Sequence, residues 1–180
     1  MLTLTGTGGV GKTRLGLQIA TELIGDGIDG VCFVQLASIS DPELVVPTIA
    51  QILGIKEIAE RPLLDLLKES LRDKNLLLLL DNLEQVVTAA PQLTELVAAC
   101  PHLKVLFTSR AVLHIRGEHE FPVPPLALPN RKQLHDVESL LQYPAVILFL
   151  ERAQASMPDF ELTTANVRAI AEICARLDCR

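Results

Sequence analysis

Gly6-Thr7-Gly8-Gly9-Val10-Gly11-Lys12-Thr13 fits the pattern G-x-x-x-x-G-K-[ST], the signature of a loop built to hold phosphates. Leu2-Thr3-Leu4-Thr5 reads as a short strand entering the loop, and Arg14 to Leu23, apolar at Leu15, Leu17, Ile19, Ala20 and Leu23, as a helix leaving it. Each residue type has a task. Glycines let the backbone curl so that successive N–H groups converge on an anion. The helix that follows turns its positive dipole end toward the same anion. Lys12 supplies a mobile cation for the outer phosphates, and Thr13 a hydroxyl for Mg²⁺. Gly6, Thr7, Gly8, Gly9, Val10, Gly11, Lys12, Thr13 and the adjoining Arg14 are therefore the candidate phosphate-binding residues. The alternative is a Gly-rich turn that binds nothing.

Strand and helix signals alternate outward from this loop as far as residue 109. Val31 to Leu36 is a buried-strand run. Asp41-Pro42 opens a helix with a good N-cap and a proline suited to the first turn, and Gly54 closes it. Pro62 opens another, with Leu63, Leu66, Leu67 and Leu71 at helical spacing. Leu76 to Leu80 is an unbroken leucine run between Asn75 and Asp81, the length of a strand buried on both faces. A helical segment from Leu83, interrupted or restarted at Pro91, runs to about Pro101, and Lys104 to Ser109 is a further strand. This order predicts an α/β fold, a three-layer P-loop sandwich on a parallel sheet of about five strands. Four prolines fall within Phe121 to Pro129, composing an extended linker rather than sheet interior. Only helical signals follow, at 133–141, from Pro144 to 157, and over 163–177 with Thr163 or Thr164 as cap. The expected domains are a nucleotide-binding domain over 1–123, a Pro-rich linker over 124–132 and a partial helical domain over 133–180.

Composition narrows the function. The net charge of −6 makes non-specific binding of nucleic acid or of acidic membranes unfavourable. With no Trp and one Tyr, stacking platforms for single strands are scarce. No uncharged run reaches the roughly 20 residues that span a bilayer, and there is no signal-peptide pattern. Cys32, Cys100, Cys174 and Cys179 lack C-x-x-C spacing and read as free thiols of a cytoplasmic protein. His102, His114, His119 and His135 lack metal-ligand spacing, and His114 and His119 are expected in a loop.

Two more pieces of a nucleotide site follow. The leucine strand delivers Asp81 to the C-terminal edge of the sheet, where ligands bind in such folds. There Asp81 is suited to hold a water of Mg²⁺ opposite Thr13, or else to cap the next helix. Glu84 is suited to orient or deprotonate an attacking water, or to be a first-turn helix residue favoured by the dipole. Arg110, after Thr108-Ser109, faces the same edge and is in reach of a γ-phosphate, unless it is simply an exposed loop residue.

In this order and spacing, Gly6–Thr13, the Leu76–Glu84 block, Thr108-Ser109-Arg110 and Pro122–Leu126 resemble the STAND class of P-loop ATPases. That class includes the NB-ARC proteins of apoptosis and plant disease resistance, and bacterial regulators with LuxR-type or SARP-type DNA-binding domains. The resemblance covers nearly the whole chain. It implies ATP/ADP and Mg²⁺ as cofactors, with Lys12 and Thr13 in the phosphate and magnesium roles and Asp81 as the Walker B carboxylate. It makes Arg110 the sensor arginine, on a strand between the P-loop strand and the Walker B strand. It places Pro124 at the nucleotide and implies slow hydrolysis. It further implies self-association or contact with regulatory domains in a longer protein. Members usually continue with a Gly-Leu-Pro-Leu-Ala-like segment; here the sequence reads Leu177-Asp178-Cys179-Arg180, with Cys179 where the glycine would stand. The expectation is a core cut from a larger protein or a truncated gene. A hydrolytically inactive nucleotide-binding scaffold is the competing reading. A small-molecule kinase has less support, since no acceptor site is evident. Thr7 stands where ParA-like ATPases carry a lysine, and no Leu-Ser-Gly-Gly transporter signature is present.

Overall fold

The leucine run alternates between two cores. In the computed structural model, which describes residues 1–129 and 137–176, it forms β3 (Leu76–Asp81), buried along its whole length. Leu76, Leu78 and Leu80 enter one core, with α2 (Val45–Ile52), α3 (Leu63–Leu71) and α4 (Ala90–Ala99). Leu77 and Leu79 enter the other, with α1 (Lys12–Gly25). The two-residue period of a strand makes this division, and it stacks the first unit in three layers. The remaining strands are β1 (Leu2–Thr5), β2 (Gly30–Gln35), β4 (Lys104–Ser109) and β5 (His119–Pro122). The sheet order is β2-β3-β4-β1-β5, and every pairing is parallel. β4 therefore lies between the strand that feeds the phosphate loop and the strand that ends in Asp81.

β5 departs from the sequence reading. Phe121 and Pro122 belong to an edge strand rather than to a linker, and His119 opens that strand rather than lying in a loop. The His119 and Val123 N–H groups donate to the carbonyls of Met1 and Thr5. Backbone groups alternate along a strand, so the peptide groups of Glu120 and Pro122 face away from β1, and Pro122 has no N–H to offer. The loop before β5 is tied by the Glu118 carboxylate, which accepts the N–H groups of Leu113 and Ile115 at 3.2 Å each. Burial alone would raise the Glu118 carboxyl, but hydrogen bonding outweighs it and holds the group below its ordinary 4.5. With the folded value lowered, the stabilisation is present above the unfolded value and is lost as pH falls through the folded one. Urea unfolding below pH 4.5 should therefore show a steeper loss of stability for the wild type than for Glu118→Gln. Equal slopes would exclude this role.

Other elements begin differently from their sequence signals. The helix expected from Asp41 is a 3₁₀ turn (Pro42–Leu44) leading into α2, with the Asp41 side chain accepting the Glu43 N–H at 3.0 Å. After β3 the chain makes two 3₁₀ turns, Leu83–Gln85 and Val87–Ala89, before α4, because Asn82 adopts the left-handed conformation at φ 64°.

The chain divides into two compact units: Met1–Thr7 with Gly11–Val123, and Gly8–Val10 with Pro124–Arg180. In the second, α5 (Val137–Leu140), α6 (Pro144–Ser156) and α7 (Val167–Arg176) share a core of Leu140, Val146, Val167, Ile170, Ala171 and Cys174. Phe149 and Phe160 meet edge to face at 6.2 Å. Regular helix begins at Val167, and Thr163 stands at its head: the Thr163 carbonyl accepts the Asn166 and Val167 N–H groups at 3.2 and 3.0 Å, and its own N–H donates to Asn166 Oδ1 at 2.8 Å. Cys32, Cys100 and Cys174 are buried and form no disulfide. Residues 133–136, expected to be helical, His135 and the Leu177–Arg180 tail lie outside the described residues. Among the described residues no helix is long and apolar enough to cross a membrane.

Candidate functional site

The phosphate loop joins β1 to α1. Gly9 and Gly11 take φ values of 85° and 93°, in the left-handed region that glycine tolerates. Gly11 is the N-cap of α1. No side chain caps the helix and no acidic residue sits in its first turn, so nothing within the helix competes for the N–H groups at its start. Lys12, buried despite its charge, donates from Nζ to the carbonyls of Gly6 at 2.7 Å and Thr7 at 2.9 Å. Burial lowers its pKa from the ordinary value; the carboxylates of Glu84 and Asp81 oppose that, and the Arg110 guanidinium adds to it. Lys12 is thus electrostatically coupled to Glu84, Arg110 and Asp81. Arg14 is exposed on α1, and Pro124 opens the second unit.

Thr13 and Asp81 meet because of packing on α1. Gly16 and Ala20 are buried on the face that lies against the sheet. A Cβ on Gly16 would stand 3.1 Å from Leu79 Cδ1, so the missing side chain sets how closely α1 approaches β3. Thr13 lies three residues before Gly16, on the same helix face. Asp81 shares the strand parity of Leu77 and Leu79, which brings it to the α1 side. The result is a hydrogen bond of 2.7 Å from Thr13 Oγ1 to Asp81 Oδ1. Asp81 is not a helix cap; Asn82 precedes the first 3₁₀ turn.

The end of β4 completes the cluster. Register pairs Leu80 with Phe107, so the next step sets Asp81 opposite Thr108. Thr108 Oγ1 donates to Asp81 Oδ1 at 2.5 Å and accepts the Asn82 N–H at 3.0 Å. Thr108 enters the sequence reading only as part of a strand end. Its contact depends on register, which no local pattern reveals. Two residues on, Arg110 pairs with Glu84, with Nε 3.4 Å from Oε1. Arg110 is largely exposed, while both Glu84 oxygens are buried and take no hydrogen bond. Such a carboxylate is costly unless a donor reaches it. Lys12, Thr13, Asp81, Glu84 and Arg110 are therefore gathered at the C-terminal edge of β1, β3 and β4.

The donor chemistry at this edge fits Mg²⁺. A hydroxyl and a carboxylate are hard oxygen ligands, and Mg²⁺ in nucleotide sites takes only one or two protein groups beside phosphate and water. Among the described residues no group of three or more His, Cys, Asp or Glu is placed to hold a metal ion by itself.

Solved structures of P-loop ATPases share this architecture. The Cdc6p protein of Pyrobaculum aerophilum superposes with a TM-score of 0.62 at 16% identity, covering 86% of this chain and 43% of that one. A Walker-type ATPase of Pyrococcus abyssi gives 0.59 at 15% identity, covering 95% of this chain and 57% of that one. The fold is thus that of a P-loop ATPase of the Cdc6/ORC kind. The NB-ARC domain matches residues 1–121, and the chain belongs to the NB-ARC family. A Mycobacterium tuberculosis protein that bears the name of an HTH-type transcriptional regulator is 37% identical over 179 residues, covering 99% of this chain and 19% of that protein. This chain spans about one fifth of that relative's length.

Proposed function

We propose that the chain is the ATP/ADP-binding switch module of a STAND-type transcriptional or signalling regulator, with slow Mg²⁺-dependent hydrolysis. The observation that carries this reading is the 2.7 Å contact of Thr13 with Asp81 beside the loop that holds Lys12. Gly6 to Thr13 cradles the phosphates with backbone N–H groups, and Lys12 gives its charge to the outer ones. Thr13 and Asp81 would hold Mg²⁺, which would supply charge neutralisation at the phosphates. Glu84, its oxygens free of hydrogen bonds, orients the attacking water. Arg110 senses the γ-phosphate. The length and name of the mycobacterial relative support a longer regulator in which the module contacts other domains or further copies of itself.

Arg110 separates a switch from a passive binder. Only ATP presents a γ-phosphate, and a hydrogen bond to a charged group contributes roughly 1.5–3 kcal/mol. By calorimetry, Arg110→Ala should lower ATP affinity about tenfold more than ADP affinity. The unmodified chain should turn ATP over more slowly than about 1 s⁻¹, the lower end of ordinary enzymes. Equal changes in the two affinities, or faster turnover, would overturn the switch reading.

A further inference from the structure

Asp81 receives two hydroxyl donors on a single oxygen. Thr13 and Thr108 both donate to Oδ1, from α1 and β4 respectively, and neither bond engages Oδ2. Thr108 is fully buried, and its oxygen also accepts the Asn82 N–H. That peptide opens the left-handed turn that leads to Glu84. One hydroxyl thus touches both the Asp81 carboxylate and the peptide from which the chain turns toward Glu84.

We infer that Thr108 is a positioning residue of the Mg²⁺ site, holding Asp81 with Oδ2 turned toward the metal's water shell. The inference rests on the assignment of Thr13 and Asp81 to Mg²⁺. Rotation of a carboxylate is otherwise governed by a broad, two-fold torsion, so a single donor leaves it poorly defined. Two donors on different elements restrict it. Because Oδ1 is committed to protein hydroxyls, Oδ2 is the oxygen left for metal-bound water. Hydrogen-bond partners of metal-site carboxylates typically change metal affinity by about ten- to a hundredfold when removed.

The test is a Mg²⁺ titration of ATP binding, followed by fluorescence of a labelled nucleotide, beside nucleotide binding in EDTA. Thr108→Val keeps the shape and removes the hydroxyl. It should raise the Mg²⁺ concentration at half-effect at least about tenfold while leaving binding in EDTA unchanged. Thr108→Ser should restore the wild-type midpoint. Where Thr108→Val does not fold, Thr108→Cys takes its place, and its weakly donating thiol should move the midpoint in the same direction. A folded variant lacking the hydroxyl but keeping the wild-type midpoint would overturn the inference, as would equal losses with and without Mg²⁺. Asp81→Asn is the reference. If it moves the midpoint and the Thr108 variants do not, only the role of Thr108 fails. If it does not move it either, the metal assignment itself fails.

Discussion

Lys12→Ala should weaken ATP binding by tenfold or more, about 1.4 kcal/mol at the least, and should weaken ADP binding less. The ammonium is the one cation within the phosphate loop, and it lies at the head of α1, whose N–H groups carry no competing cap. Removing it deletes a charge-assisted bond to the outer phosphates in a partly desolvated place, where such bonds are strongest. It also releases the carbonyls of Gly6 and Thr7, so the loop loses two of its internal ties. A thermal melt without nucleotide separates the two effects. A loosened loop lowers stability in both conditions, whereas a lost phosphate contact removes only the gain that ATP confers. Equal ATP affinity for both proteins by calorimetry would refute the role.

Leu79→Ala should cost roughly 2–5 kcal/mol of stability, the range for a large-to-small change in a closed core. Leu79 is fully buried at the centre of β3 and fills the space directly beneath Gly16. Nothing on Gly16 can move in to occupy the gap, and the backbone of α1 is held by the rest of its packing. The midpoint of thermal unfolding should fall by roughly 10 °C. Leu79→Met, which nearly conserves volume, should cost less than about 1.5 kcal/mol. A loss below about 1 kcal/mol for the alanine variant would mean that α1 settles onto the sheet. In that case Thr13 would shift relative to Asp81, and the Mg²⁺ dependence of nucleotide binding would change with it.

The phosphate loop was legible because its chemistry is local: glycines, a lysine and a hydroxyl in one short stretch. The place of Asp81 was legible for a related reason. Five leucines without a polar break fit a strand covered on both faces, and such a strand ends at the ligand edge of a parallel sheet. Three features were hidden. β5 has four exposed residues and ends in proline, and it is a strand only because β1 offers it a free edge. Thr108 is an ordinary strand residue until register sets it opposite Asp81. Gly16 looks like a weak point in a helix until Leu79 is found 3.1 Å from where its Cβ would be. Each depends on a partner distant in sequence, and periodicity carries no information about distant partners. The turns after Asp81 carry a helical sequence signal because an asparagine in the left-handed region leaves no pattern in the surrounding apolar residues.

Pro122 has a consequence for the life of the chain before it is folded and among its neighbours. A growing parallel sheet adds strands where consecutive peptides present donors and acceptors, and the outer side of β5 offers one donor, at Glu120, before proline interrupts the series. A second polypeptide arriving at this border finds too few peptide groups to zip onto. Nascent copies emerging side by side from a polysome are thereby kept from templating one another's sheets along this margin.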